Sequence, residues 1–346
     1  MTPRWMIYGA NGYTGELIAR ASAGFERPIL AGRNSERINA LARELGCDAR
    51  IFAVDRPQLE GVSLVLHCAG PFVHTSAPMV RACLDAGVHY LDLTGEISVF
   101  EAIMALNDEA KQRRVTLLPG VGFDVVPTDC LAAMLAQRLP DANDLMLAFQ
   151  GGATLSPGTQ KTIVEGLGDG GAIRRDGRIV RVPMAHDVRD VPFPGGSRTC
   201  MTIPWGDVAT AWYSTGIPNI RVYRPISPKA VARIRRLRPL LGLAAFPPLK
   251  WLMMRAASRA KGPGAEDRRQ RRMELWGRVT NPSGREVSMT MSTPEGYAFT
   301  VLSAIAAVKR VLNEPPRGGS FTPSMRFGAE FVSSIPGVTV GSTTLH

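Results

Sequence analysis

The chain has 346 residues, 45% apolar and 21% charged, which suits a soluble globular protein of two domains with a sizeable core. No apolar run reaches the ~18–20 residues of a membrane-spanning helix. The net charge of +11 is local: thirteen Lys and Arg, against Glu266 and Asp267 alone, lie between Lys229 and Arg272, which argues against nucleic acid and for one anionic contact.

The first 125 or so residues alternate strand and helix patterns. Strands are predicted at Trp5–Gly9, Pro28–Gly32, Arg50–Val54, Val62–Cys68, Tyr90–Leu93 and Val115–Pro119. Helices are predicted at Gly15–Ala23, Ser35–Leu45, Ala77–Ala86 (closed by Gly87 as C-cap) and Val99–Arg113. This order implies an α/β fold, with an N-terminal Rossmann doubly wound parallel sheet. The first strand runs straight into a glycine motif, which leaves no room for a signal peptide. The five cysteines (Cys47, Cys68, Cys83, Cys130, Cys200) are scattered and lack metal-ligand spacing. They predict reduced thiols in a cytoplasmic protein and no metal site.

Beyond residue 127 the pattern changes to a smaller α+β domain over residues 128–319. Strand-like runs are Leu145–Gln150, Arg198–Ile203, Ile220–Tyr223, Met273–Thr280 and Glu286–Ser292. Gly171–Val182 reads as a hairpin turning at Asp176-Gly177, and Asn281-Pro-Ser-Gly284 as a second turn. Helices are predicted at Gly158–Leu167 and Pro294–Leu312, the latter with Pro294 and Glu295 in its first turn. Residues 320–346 are expected to pack back on the first domain.

The strongest chemical signal is Gly9-Ala-Asn11-Gly12-Tyr13-Thr14-Gly15 between the first strand and first helix. Gly9 permits a tight turn, Gly12 lets backbone approach a pyrophosphate, and Gly15 allows close helix–sheet packing. The helix N-terminus then faces the anion. At the end of the second strand, Ala31-Gly32-Arg33-Asn34-Ser35 supplies no acid for a ribose 2′-hydroxyl. Arg33 can pair with a 2′-phosphate, and Asn34 and Ser35 can add hydrogen bonds, so the expected cofactor is NADP(H). Asp55 is placed near the adenine. Cys68-Ala69-Gly70-Pro71-Phe72, after the fourth strand, offers a small-residue turn for the dinucleotide. The loops Asp92–Glu96 and Gly120–Pro127 are expected around the nicotinamide and substrate.

These residues carry a resemblance. G-A-N-G-Y-T-G, A-G-R-N, C-A-G-P-F, Y-L-D-L-T-G-E and G-F-D-V-V-P-T-D occur in this order. Pro204-Trp-Gly-Asp207, Ser214–Pro218 and Thr293–Tyr297 follow in the second half. Together they resemble the saccharopine dehydrogenase-like oxidoreductases, over nearly the whole chain. The resemblance implies a Rossmann domain, a substrate domain inserted after it, and NADPH use. It implies reduction either of imine-linked amino acids or of polyketide-derived lipids, the latter as in the mycobacterial trans-acting enoyl reductases.

Hydride transfer needs positioning and usually one proton donor. The candidates are Asp124, His74, Lys161 and Tyr213. Asp124 reads either as that donor or as an N-cap of the next helix. His74 reads as a donor or a capping residue, Lys161 as a donor or a solvated cation, and Tyr213 as a donor or core packing. No dicarboxylate-binding Arg cluster stands out in the second-half strands, which turns the expectation toward a hydrophobic, acyl-type small molecule. A homodimer is also expected. A non-catalytic NADP(H)-binding or lipid-surface protein is the contrasting class.

In the basic segment 229–272, Ser227-Pro228 opens a helix. An interrupted apolar run follows, with Leu240, Leu241, Phe246, Leu249, Trp251 and Leu252. Three readings stand: a helical hairpin packed on its own domain, a lid over the substrate, or weak peripheral contact with an anionic membrane.

Overall fold

The structure is a computed structural model and describes residues 4–152, 155–166, 168, 170–241 and 246–345. Six strands, β1 (Trp5–Tyr8), β2 (Ile29–Gly32), β3 (Ala49–Ile51), β4 (Leu64–His67), β5 (His89–Asp92) and β6 (Thr116–Leu118), alternate with helices. They pair in parallel in the order β6-β5-β4-β1-β2-β3, so the strand order reverses between β1 and β4. β1, β2 and β4 are buried throughout, as continuous apolar strands covered on both faces should be. This is the expected Rossmann sheet.

The second sheet contains β7 (Asp144–Gly151), β8 (Gly171–Arg175), β9 (Arg178–Val182), β10 (Val188–Phe193), β11 (Gly196–Ile203) and β12 (Asn219–Pro225). It continues with β13 (Arg272–Thr280) and β14 (Glu286–Pro294). The short β15 (Gly319–Ser320) extends the Rossmann sheet beside β6, while β16 (Thr339–Leu345) pairs with β14. The path is β10-β11-β12-β7-β13-β14-β16, parallel only between β12 and β7, with the β8–β9 hairpin attached to β12. The C-terminal segment is thus shared between the two sheets. β14 alternates buried and half-buried positions, the period of a sheet with one face on the core. Both turns form where the sequence places them. Asp176 and Gly177 take left-handed φ values of 49° and 75°, and Asn281 Oδ1 accepts from Arg285 N at 2.9 Å.

Several elements differ from the sequence expectation. The helix over Ala77–Ala86 starts earlier, at Phe72. The single helix over Val99–Arg113 is two, Ile97–Met104 and Asn107–Gln112. Asn107 Oδ1 accepts from Ser320 N at 3.2 Å, so docking of β15 coincides with the break. Pro294 ends β14, and Glu295 is the N-cap of the helix Gly296–Asn313, accepting from Tyr297 N at 2.9 Å. The helix Pro157–Gly166 matches the expected one, though Leu167 lies outside the described residues. The helix Val126–Arg138 and β10 are not anticipated by the sequence pattern. That helix buries Val126, Cys130, Leu131, Met134 and Leu135 against the second sheet and the neighbouring helices, so it shows no solvent stripe. Its Leu131 and Leu135 lie where a Cβ on Gly277 would intrude to 2.6 Å, which fixes the close helix–sheet approach.

Candidate active site

The glycine turn lies at the carboxyl end of β1, beside the reversal in strand order. Gly9 has φ +84°, and a Cβ there would lie 2.8 Å from the Ala69 Cβ. A Cβ on Gly15 would lie 2.4 Å from Gly9 O. Both glycines are therefore demanded by the fold. Gly12 is different. Its φ of −81° suits any residue, and an added Cβ would meet only Gly9 O, at 3.2 Å. Gly12 is exposed and is the N-cap of the helix Tyr13–Ala21, with no side-chain cap on that N-terminus. The free N–H groups and the open space fit a pyrophosphate. Asn11 places Oδ1 3.0 Å from where a Gly32 Cβ would stand, so it bridges the ends of β1 and β2. Thr14 is half-buried in the same first turn. Tyr13 faces the second domain instead. Its hydroxyl donates to Pro263 O at 2.6 Å, accepts from Arg268 at 2.8 Å, and its ring meets Tyr297 edge-on at 5.1 Å.

Arg33 follows β2 and is exposed, with no carboxylate in an ion-pair contact among the described residues. Asn34 caps the helix Ser35–Leu45, its Oδ1 accepting from Arg37 N at 2.9 Å. That oxygen is committed to the helix, which leaves the Asn34 amide N–H₂ and the exposed Ser35 for a phosphate. Asp55 is exposed beyond the end of β3. The charges of Arg33 and Asp55 both act on the Tyr8 phenol, which burial pushes above its ordinary range. All three therefore lie near the same edge of the sheet.

At the end of β4, Cys68, Ala69 and Gly70 lead into a cis Gly70–Pro71 bond and the helix Phe72–Ala86. Cys68 N donates to Tyr8 O at 2.8 Å. The free N-terminus of this helix is taken by Glu96, which accepts from Phe72 N at 2.8 Å and Val73 N at 2.6 Å. Burial raises the Glu96 carboxyl, and these bonds pull it back. His74 is exposed and its Nε2 lies 3.2 Å from Glu165 Oε1. Glu165 also pairs with Lys250, so one carboxylate joins the Rossmann domain to two helices of the second domain.

Asp124 ends the loop after β6. The helix that follows is capped by Val125 with no side-chain bond, so the N-cap alternative for Asp124 does not hold. A Cβ on Gly95 would lie 2.9 Å from Asp124 Oδ2, which places the two predicted loops against each other. The carboxyl makes no hydrogen bond among the described residues. Burial raises it to about 6, with Arg224 lowering it and Glu96 raising it. Arg224, on β12, packs over the Phe149 ring at 5.9 Å and has no ion pair among the described residues. Phe149 in turn packs on Trp205 at 4.7 Å and Phe123 at 6.0 Å. Asp92 holds the floor rigid, accepting from Thr94 N at 2.9 Å, Gly120 N at 2.8 Å and the Tyr90 hydroxyl at 2.8 Å. Phe123 N donates to Thr300 Oγ1 at 3.0 Å, which locks the loop to the helix Gly296–Asn313.

Two expected candidates stand apart from this cluster. The Tyr213 hydroxyl donates to Glu101 at 3.1 Å, and Glu101 is paired with Arg174 at 2.8 Å. Burial raises this phenol to about 12, and the Glu101 carboxylate adds to the shift. Lys161 is half-buried on the helix Pro157–Gly166, without a partner among the described residues. That helix reaches the site through Thr162, whose hydroxyl donates to Glu96 at 3.4 Å. Sequence reasoning missed Glu96 as a cap and missed Arg224 and Phe149 entirely. No local signal marks them, because their partners lie dozens of positions away in the chain.

Comparison with known proteins agrees with this geometry. Residues 5–118 match the family described as "Saccharopine dehydrogenase NADP binding domain". A "Trans-acting enoyl reductase" of Mycobacterium tuberculosis is 33% identical over 147 residues, 38% of this chain and 35% of that protein. A "Saccharopine dehydrogenase-like oxidoreductase" of Mus musculus is 25% identical over 202 residues, 49% of this chain and 47% of that protein. The chain spans less than half the length of these relatives. In fold, it is similar to apo saccharopine dehydrogenase (L-Glu forming) from Saccharomyces cerevisiae. That match has a TM-score of 0.64 at 11% identity and covers 99% of this chain and 100% of the other. Residues 5–118 are thus similar to the saccharopine dehydrogenase NADP-binding domain, and the chain is similar in sequence to the saccharopine dehydrogenase-like oxidoreductases and in fold to saccharopine dehydrogenase.

Proposed function

We propose that the chain is an NADPH-dependent reductase acting on a C=C or C=N bond of a hydrophobic, acyl-type substrate, with Asp124 as proton donor. The observation that supports this reading best is the half-buried Asp124 carboxyl in the loop after β6, free of hydrogen bonds among the described residues and within reach of the Arg224 charge. In a doubly wound sheet the cofactor crosses those strand ends. When bound, the nicotinamide supplies a hydride.

The chain's own residues position and protonate. The Gly9–Gly15 turn holds the pyrophosphate, and Arg33 with the N-terminus of Ser35–Leu45 holds the 2′-phosphate. Phe123, Phe149 and Trp205 exclude water from the reacting bond. Hydride goes to the β-carbon of an enoyl group and the Asp124 proton to the α-carbon. Arg224 draws charge onto the adjacent carbonyl oxygen. With an imine, hydride goes to carbon and the proton to nitrogen. The name of the mycobacterial relative favours the enoyl substrate. Arg224 keeps the second reading open, because its unpaired guanidinium also suits the carboxylate of an imine-linked amino acid.

The test is NADPH fluorescence decay with a series of 2-enoyl thioesters and a series of imine-linked amino acids. Oxidation with the thioesters, slowed about 10²–10⁴-fold by Asp124→Asn, is expected. Tight NADPH binding with no turnover on either series would leave a non-catalytic binding protein.

A further inference from the structure

We propose that the outer face of the helix Pro247–Ser258 docks the protein on an anionic lipid bilayer. The helix has two unlike sides. Its inner side, with Met253, Ala256 and Ala257, lines an apolar groove of about 440 Å³. Leu155, Ile163 and Val164 form the other wall. On the opposite side, Trp251, Leu252, Arg255 and Arg259 recur at the three- and four-residue steps that stack side chains on one helix face.

The apolar members of this side are in water: Trp251 is 60% exposed and Leu252 57%, and at the start of the helix Phe246 is 61% exposed and Leu249 40%. A helical hairpin packed on its own domain would bury them. The side chains of Leu240 and Leu241 and residues 242–245, part of the same run, lie outside what the structure describes. Large apolar side chains exposed together mark an interaction surface.

Charge identifies the partner. No acid occurs between Lys229 and Gly264. Lys250 is paired with Glu165, whereas Arg255 lies over the Trp251 ring at 5.4 Å, and Arg259 and Lys261 have no partner among the described residues. Arg233, Arg235 and Arg236 on the preceding helix are exposed as well. Trp and Leu enter the headgroup boundary while Lys and Arg meet anionic headgroups at its surface. The cluster Arg268–Arg272 is not part of this surface. Arg268 bonds Tyr13, Arg271 pairs with Asp267 at 3.0 Å, and Arg272 donates to Gly337 O at 2.7 Å.

Placement gives the contact a purpose. The chain leaving this helix passes Gly262 against the Tyr13 ring, where a Cβ would lie 2.4 Å from a ring carbon. Its Lys250 and the loop residue His74 share Glu165. The helix thus lies close to the glycine turn, and the apolar groove beneath it is walled by the helix Pro157–Gly166, whose Thr162 hydroxyl donates to Glu96. Among the described residues no helix is long and apolar enough to cross a membrane, so the contact is peripheral.

The test is flotation of the full chain with vesicles of phosphatidylcholine alone and of phosphatidylcholine with phosphatidylglycerol. Binding to the anionic vesicles only is expected, lost at ~1 M salt, where the screening length falls to ~3 Å. Tryptophan emission should shift to the blue on binding in the native protein and not in Trp251→Phe. Both Trp251→Ser/Leu252→Ser and Arg255→Ser/Arg259→Ser/Lys261→Ser should float at least ten-fold less while melting like the native chain. No flotation at low salt, equal flotation with neutral vesicles, or flotation unchanged in both variants would overturn the proposal. So would a stable homodimer or an acidic protein partner that shields Trp251. The assay needs no turnover, so its failure would leave the proposed reduction untouched.

Discussion

Arg268 donates to the Tyr13 hydroxyl at 2.8 Å across 255 positions of sequence, joining the end of the basic segment to the glycine turn. The same hydroxyl donates to Pro263 O at 2.6 Å. Tyr13→Phe removes both bonds and leaves the Pro263 carbonyl without this donor. Each bond lost costs about 1 kcal/mol. We expect Tyr13→Phe to lower unfolding stability by about 1–2 kcal/mol in urea, and Arg268→Ala to do the same. Unchanged midpoints in both variants would show that the segment is not anchored there.

Cofactor choice rests on Arg33, which stands at the end of β2 with no carboxylate paired to it among the described residues. NADPH should bind at least about ten times tighter than NADH, or about 1.4 kcal/mol. Arg33→Ala should remove most of that difference by weakening NADPH alone. Titration calorimetry giving equal affinities for the two cofactors in the native protein would contradict the assignment.

The three glycines of the turn should separate fold from binding. Gly12 has an ordinary φ of −81°, and a Cβ there would press only on Gly9 O, at 3.2 Å, so Gly12→Val should still fold, with a lowered melting temperature. Its side chain enters the pyrophosphate space, so NADPH should no longer raise the melting temperature. Gly15→Val should fail at folding, since its Cβ would sit 2.4 Å from Gly9 O. Cofactor-induced stabilisation of Gly12→Val would move the phosphate site elsewhere.

Asp124 ties activity and stability to pH in opposite ways. Burial raises its carboxyl to about 6, so the proton needed for reduction is held below that value and lost above it. Reduction should fall as pH rises through about 6, and Asp124→Asn should lose this limb with an activity drop of about 10²–10⁴. For folding, the raised value means the native state favours the protonated form. That contribution is complete below about pH 4, the unfolded value, and is lost as pH rises through about 6. Asp124→Asn should therefore be more stable than the native chain at pH ~8 by up to about 2–3 kcal/mol, and near neutral in effect at pH ~4. A pH–rate profile without a limb near 6, or no stability gain at high pH, would remove Asp124 from this role.

The sequence alone determined whatever depends on neighbours in the chain. The glycine turn was legible because Gly9 needs a positive φ and Gly15 a close approach within one strand–turn–helix unit. The Rossmann sheet was legible because buried parallel strands are continuously apolar, and the hairpin at Asp176-Gly177 because few residues accept its backbone. Arg33 could be read as a phosphate ligand since it lies one residue past a predicted strand end.

Tertiary structure decided the rest. Whether Asp124 caps a helix or stands free depends on Gly95 and on Arg224, one hundred positions later. The start of the helix at Phe72 depends on Glu96, and the break before Asn107 coincides with its bond to Ser320. Leu252 and Leu131 look alike in sequence, yet one lies in water and the other is packed against the second sheet. Hydrophobic pattern says that a side chain can be buried; only the packed fold supplies the surface that buries it, or leaves it facing out.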